Sequence, residues 1–196
     1  MYKQRILPKD VQKIIDSQAP KILRQDFKKT IIERVNELKR QMIAEFLAHP
    51  VTEEIMAGAS TSNSSGTLSG NGNLFAFIGF EKDADPIKPI LDRLEEIIPM
   101  FAFDIDSGSM FTINFPEIQE LFELTPMPWA TGRSWAKGIE TGISGLGYFM
   151  YQTSGASRSG EGVQVDVKLN KGFRFKNTSY LSPLINKYKK QFLLIK

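Results

Sequence analysis

The strongest constraint in this chain is a run of apolar residues three and four apart between Pro20 and Pro50. From Ile22 it continues through Phe27, Ile31, Val35, Leu38, Met42 and Phe46, with Lys, Arg and Glu between. Residues at those spacings share one face of an α-helix, so the run predicts an amphipathic helix of about seven turns. Pro20 suits its first turn, where the donor that proline lacks would go unused. Pro50 sets its end, because a residue preceding proline avoids the helical region. Ile32 and Ile43 widen the stripe beyond a narrow seam, which favours packing on a sheet over the competing coiled coil.

The flanking chain supplies that second layer. Val11, Ile14 and Ile15 predict a short helix over Lys9 to Ser17, and Val51 to Gly58 reads as one or two further turns. Residues 59–73 are small and polar, which predicts a mobile arm; a linker between two domains is the alternative. Leu74 to Phe80 is a continuous apolar run, read as a buried strand. Asp85-Pro86 opens a helix through Ile98 whose buried face is Ile87, Ile90, Leu91, Leu94 and Ile97/Ile98. Met100 to Ile105 and Met110 to Phe115 form a hairpin around residues 106–109. Pro116 to Leu124 is a short amphipathic segment with Glu117, Glu120 and Glu123 outward. Val163 to Leu169 alternates as a strand, and Phe173 to Phe175 is a last strand-like piece. Ser182-Pro183 starts a helix through Lys190 with Leu184, Ile185, Tyr188 and Phe192 on one face. The sum is a single α+β domain over 1–196: a long N-terminal helix on a mainly antiparallel sheet, with a C-terminal helix.

Composition narrows the chemistry. The chain has no cysteine and a single histidine, His49, so disulfides and thiolate metal sites are excluded and a reducing cytoplasm fits. No window approaches a membrane span, and the first ten residues have no apolar run of signal-peptide type. The net charge of +3 is unevenly spread. Residues 1–40 carry 11 Lys/Arg against 5 Asp/Glu, residues 41–166 carry 6 against 17, and residues 167–196 carry 8 against none. Basic ends around an acidic middle let a chain fold back on itself, dock on a copy of itself, or touch nucleic acid. Segregated solvated faces are the plainer reading.

Catalytic constellations are absent at the level of pattern. Asp104 to Gly108 starts like a calcium loop, but Ser109 and Phe115 stand where glycine and glutamate are needed. The glycines from Gly142 to Gly147 and from Gly155 to Gly162 lack the strand–turn–helix order of a nucleotide site. Glu53-Glu54 and Glu95-Glu96 are adjacent on predicted helices, where neighbours point apart, so they read as solubilising charge. His49 reads as a helix-end residue. Ser144, Ser154, Ser157 and Ser159 lack a nucleophile elbow and a second histidine. Neither a cofactor nor a metal site is expected.

Trp129 and Trp135 are the only tryptophans, and both lie in a glycine-rich stretch running to Asp166, suited to close approach of backbone and flat surfaces. Trp135-Ala136-x-x-Ile139-Glu140-x-Gly142 is similar to the aromatic-Ala-x-x-Val-Glu-x-Gly-Thr signature of the neck, or tail-completion, proteins of long-tailed bacteriophages. Ser65-Gly66-Thr67-Leu68 looks like that family's Thr-Gly-x-Leu element, which follows a long N-terminal helix. Ile143 departs from the family's usual Thr, and the insert from Pro86 to Thr125 is longer than in compact members.

The resemblance implies a structural virion protein without catalysis, assembled in the host cytoplasm. Such a protein forms a homo-oligomeric ring that joins the portal and head-closure complex to the tail, with other phage neck and tail proteins as partners. Trp129, Arg133, Trp135, Ile139 and Glu140 would then set packing and subunit contact, and Arg158 would sit on an assembly loop or an ordinary hairpin tip. A related tail-terminator ring protein is a second possibility within the same neck. Outside it stand a DNA-binding protein using the basic C-terminal segment, with Lys187, Lys189 and Lys190 facing DNA, and a hydrolase of unrecognised type.

Overall fold

The computed structural model describes residues 8–70, 72–104, 108–142 and 175–195. In chain order these form α1 (Pro8–Leu47), α2 (Pro50–Met56), α3 (Leu74–Ile78), α4 (Lys88–Glu95), β1 (Pro99–Asp104) and β2 (Gly108–Ile113). They continue with α5 (Ile118–Glu123), β3 (Pro126–Met127), β4 (Ala130–Ser134), α6 (Trp135–Thr141) and α7 (Leu181–Leu193). The class is α+β. Among the described residues the sheets are small: β1 with β2, and β3 with β4, both antiparallel. The strand expected at Val163 to Leu169, and residues 173–174, lie outside the described residues.

Of the stripe that the periodicity marks, helix α1 buries Ile31, Val35, Leu38, Met42 and Phe46, while Phe27 is partly buried and Ile22 is exposed. Ile32 is 40% exposed, so the stripe is narrower than the sequence suggests. The helices expected on either side of Pro20 are one continuous helix. Proline deletes one donor and crowds one carbonyl, while the turns beside it are free of glycine and rich in helix formers. The expected end at Pro50 holds: α1 stops at Leu47 and Pro50 opens α2. Helices α7, α4 and α2 and strand β1 all pack on α1.

The run from Leu74 to Phe80 is a helix, not a strand. Its caps decide this. The Asn73 side chain accepts from the Ala76 amide, and Gly79 ends the helix with φ +86, a left-handed conformation that costs glycine little. Leu74, Phe75 and Ile78 face inward, which is helical spacing hidden inside an unbroken apolar run. Helix α4 is shorter than expected, and its N-cap is Ile87 rather than Asp85, although the Asp85 side chain accepts from the Lys88 amide at 3.1 Å. Its buried face holds Ile87, Ile90, Leu94 and Ile97, whereas Ile98 is exposed.

The β1–β2 hairpin forms in the register Phe101↔Phe111. Both rings turn toward α1, where Phe27 meets them edge-on at 6.3 and 6.1 Å between centroids. The C-terminal helix buries Leu184, Ile185, Tyr188 and Phe192 as expected. It starts at Leu181, however, and Ser182 is not its N-cap.

Residues 59–73 pack on α2 around a buried carboxylate rather than standing off as an arm. Glu54 is 1% exposed and accepts from the Asn63 side chain and from the amides of Ser65 (2.8 Å) and Leu74 (2.7 Å). Asn63 Oδ1 in turn accepts from the Leu68 and Gly70 amides, and Leu68 and Thr67 are buried. A segment of small polar residues has no apolar core, but it has many amides, and one carboxylate can gather them. Glu54 therefore corrects the reading of Glu53-Glu54 as surface charge; Glu53 alone is exposed.

Candidate functional site

The residues that carry the sequence resemblance converge on the short segment leading into α7. Thr67 of the Ser65–Leu68 element accepts from the Lys176 amide at 2.8 Å, and Ile139 of α6 accepts from the Thr178 amide at 3.0 Å. Gly142, at φ +99, lies beside Asn177; a Cβ there would come to 3.4 Å from Asn177 Oδ1. Phe175 stacks on Phe77 of α3, with rings 5.9 Å apart and nearly parallel.

Glu140 completes this clamp. Its carboxylate accepts from the Tyr180 amide (3.2 Å), the Ser182 amide (2.7 Å) and the Ser182 hydroxyl (2.5 Å). The N-cap residue of α7, Tyr180, makes no side-chain cap bond of its own. Glu140 supplies the missing acceptor from across the fold and puts negative charge at the positive end of the helix dipole. The Ser182 hydroxyl, expected to cap α7, donates to Glu140 instead.

His49 holds the same segment from the other side. Its Nδ1 accepts from the Val51 amide, capping α2, and its Nε2–H donates to the Ser179 carbonyl at 3.0 Å. This fixes the neutral tautomer, and partial burial holds the ring's pKa below its ordinary 6.5 despite the Ser179 bond and the Glu140 charge. Both ring nitrogens are engaged, so His49 is a scaffold group with no position free to take a substrate proton. Its ring lies 5.0 Å from that of Tyr180, whose hydroxyl pairs with Thr52 Oγ1 at 3.0 Å in the interior. Burial pushes the Tyr180 hydroxyl well above the usual phenol range. A shallow cleft beside this junction is lined by His49, Ser179, Tyr180, Pro183 and Lys187 among others.

The remaining sequence-nominated residues fall in different places. Trp135 is buried, edge-on to Phe80 at 5.7 Å and tilted on Tyr180 at 6.0 Å. Ile139 is fully buried. Both side chains pack in the core, where a large aromatic at the start of α6 is worth more than at the surface. Trp129 is half-buried, and its indole N–H donates to the Ile78 carbonyl at 2.7 Å, closing the end of α3. Arg133 is exposed on β4. Arg158 lies outside the described residues.

Among the C-terminal lysines, Lys187 pairs with Glu45 of α1 and Lys189 with Glu117, each at 2.5 Å, while Lys190 is exposed in the last turn of α7. The pair with Lys187 holds the Glu45 carboxyl below its usual value. Sequence reasoning missed the ion pair of Arg93 with Glu120 (2.5 Å), which carries a nearly buried guanidinium and ties α4 to α5. Its one signal is an arginine on the apolar face of a predicted helix.

Among the described residues no group of His, Asp and Glu could hold a metal ion, and no helix is long and apolar enough to cross a membrane. Comparison with protein-family models, curated proteins and solved structures finds no match to this chain.

Proposed function

We propose that this chain is a non-catalytic, ring-forming subunit of the bacteriophage neck that joins the portal and head-closure complex to the tail. One observation carries the reading. The two short segments that resemble the neck family, Ser65–Leu68 and Trp135–Gly142, grip the same stretch of chain, through Thr67, Ile139 and Glu140. Residues shared for such a reason maintain a scaffold and need no substrate. The engaged nitrogens of His49 fit the same picture. Its partners are further copies of itself and other neck and tail proteins, its place is the virion, and it requires no cofactor. A tail-terminator ring would use the same scaffold.

DNA binding through the C-terminal segment is the weaker reading, because Lys187 and Lys189 already face carboxylates. Negative-stain imaging of the purified protein tests the proposal. Rings with a central hole are expected at low salt. Single subunits under every condition, or a turnover that Glu140→Ala abolishes while assembly persists, would overturn it.

A further inference from the structure

The described surface carries two exposed apolar patches of opposite charge. The first is the projecting part of α1. From Lys21 to Thr30 nearly every side chain is exposed, Ile22 and Leu23 included, whereas Ile31 is fully buried. Residues 21–30 carry four Lys/Arg against one Asp, with Lys29 also 4.0 Å from Glu33 one turn on. The second patch is the end of α4 with the outer face of the β1–β2 ribbon. Because side chains alternate along a strand, the inward Phe101 and Phe111 put Met100 and Met110 on the outer face, where both are exposed; Ile98, two residues before Met100, is exposed as well. Residues 81–96, leading into this face, carry six Asp/Glu against three Lys/Arg, and Arg93, one of the three, is buried. Within one chain α1 lies on the inner face of the ribbon through Phe27, opposite the face that carries Met100 and Met110, and it reaches the α4 end further along, where Lys39 donates to the Glu95 and Ile97 carbonyls.

We infer that the Lys21–Thr30 stretch of α1 of one copy docks on the α4 end and the outer ribbon face of the next. Lys21 and Lys29 would meet Glu95 and Glu96, and Ile22 and Leu23 would cover Ile98 and Met100. The inference rests on the assembly reading and names its surface. The occupant is a second copy because the chain carries both complementary halves. Two different patches on one subunit make a head-to-tail contact, which closes into a ring when its rotation permits. Charge sets the encounter and the register, and the apolar residues supply the buried area. Neither patch suits the same patch on another copy, where like charges would face each other.

Two charge-reversed variants of the full chain test this: Lys21→Glu/Lys29→Glu and Glu95→Lys/Glu96→Lys. All four side chains are exposed, so both variants should melt like the native protein. Sedimentation should show each variant self-associating about tenfold more weakly or worse, and an equimolar mixture of the two recovering association. Recovery is specific to this contact, because each variant then presents what the other lacks. Undiminished self-association in either variant overturns the surface and leaves the assembly reading standing. Loss in both without recovery on mixing overturns the surface as well. A native protein that never self-associates overturns both.

Discussion

Glu54 shows how much a single buried residue organises here. Desolvating a carboxylate costs several kcal/mol unless hydrogen bonds replace its water, and the Asn63 side chain with the Ser65 and Leu74 amides does so. Glu54→Ala should lower unfolding free energy by about 2–4 kcal/mol in urea titrations, because several buried donors lose their acceptor at once. Glu53→Ala, one residue away and exposed, should change it by less than about 0.5 kcal/mol. Equal effects would contradict this account of the 59–73 segment. His49 gives a pH prediction with a definite sign. Its pKa is lowered by folding, so the unfolded chain binds the extra proton and stability falls as pH drops. The contribution is present above its ordinary 6.5 and is lost as pH falls through the lower folded value. Glu45 and Glu120, held down by their bonds to Lys187 and Arg93, keep their contribution above their ordinary 4.5 and lose it only as pH falls below that. Melting temperature between those values should therefore fall with pH in the native protein and much less in His49→Asn, which keeps a capping acceptor.

Among the elements, the division between what was legible and what was not follows the range of the deciding contacts. The stripe on α1, its end before Pro50, the β1–β2 hairpin and the buried face of α7 depend on local spacing, and the structure has each of them. Leu74 to Phe80 was misread because an unbroken apolar run carries no period; Asn73 before it and Gly79 within it were the local signals of a capped helix. The cap of α7 could not be read locally, since its acceptor, Glu140, lies 42 residues before Ser182. Of the candidate site, sequence resemblance picked out Ile139 and Glu140 but not their role, which depends on the segment they hold. That role makes a prediction for the element. Glu140→Ala should cost about 1–3 kcal/mol by exposing α7's first amides, and Glu140→Gln, which keeps an acceptor, should cost less. Amide hydrogen exchange would localise the loss: faster exchange should concentrate at Tyr180 and Ser182. A uniform change across the fold would argue that Glu140 does not cap α7.

Taken as a whole, the molecule has a helical core, a long helix reaching past it, and charge divided between ends and middle. Part of that division is satisfied internally. Lys187–Glu45 and Lys189–Glu117 join the basic C-terminal helix to α1 and to the residue just before α5. The Lys21–Thr30 stretch of α1 and Ile98, Met100 and Met110 around the outer ribbon face remain exposed, with apolar side chains in both places. Chains that expose such surfaces usually cover them by association. The most direct test is the solution mass of the native protein by sedimentation equilibrium, at low salt and at about 1 M salt, where screening shortens to about 3 Å. This account predicts a mass that is a multiple of the 22.1 kDa chain at low salt and shifts toward the single chain as salt rises. A single chain of 22.1 kDa at every salt and protein concentration would contradict it.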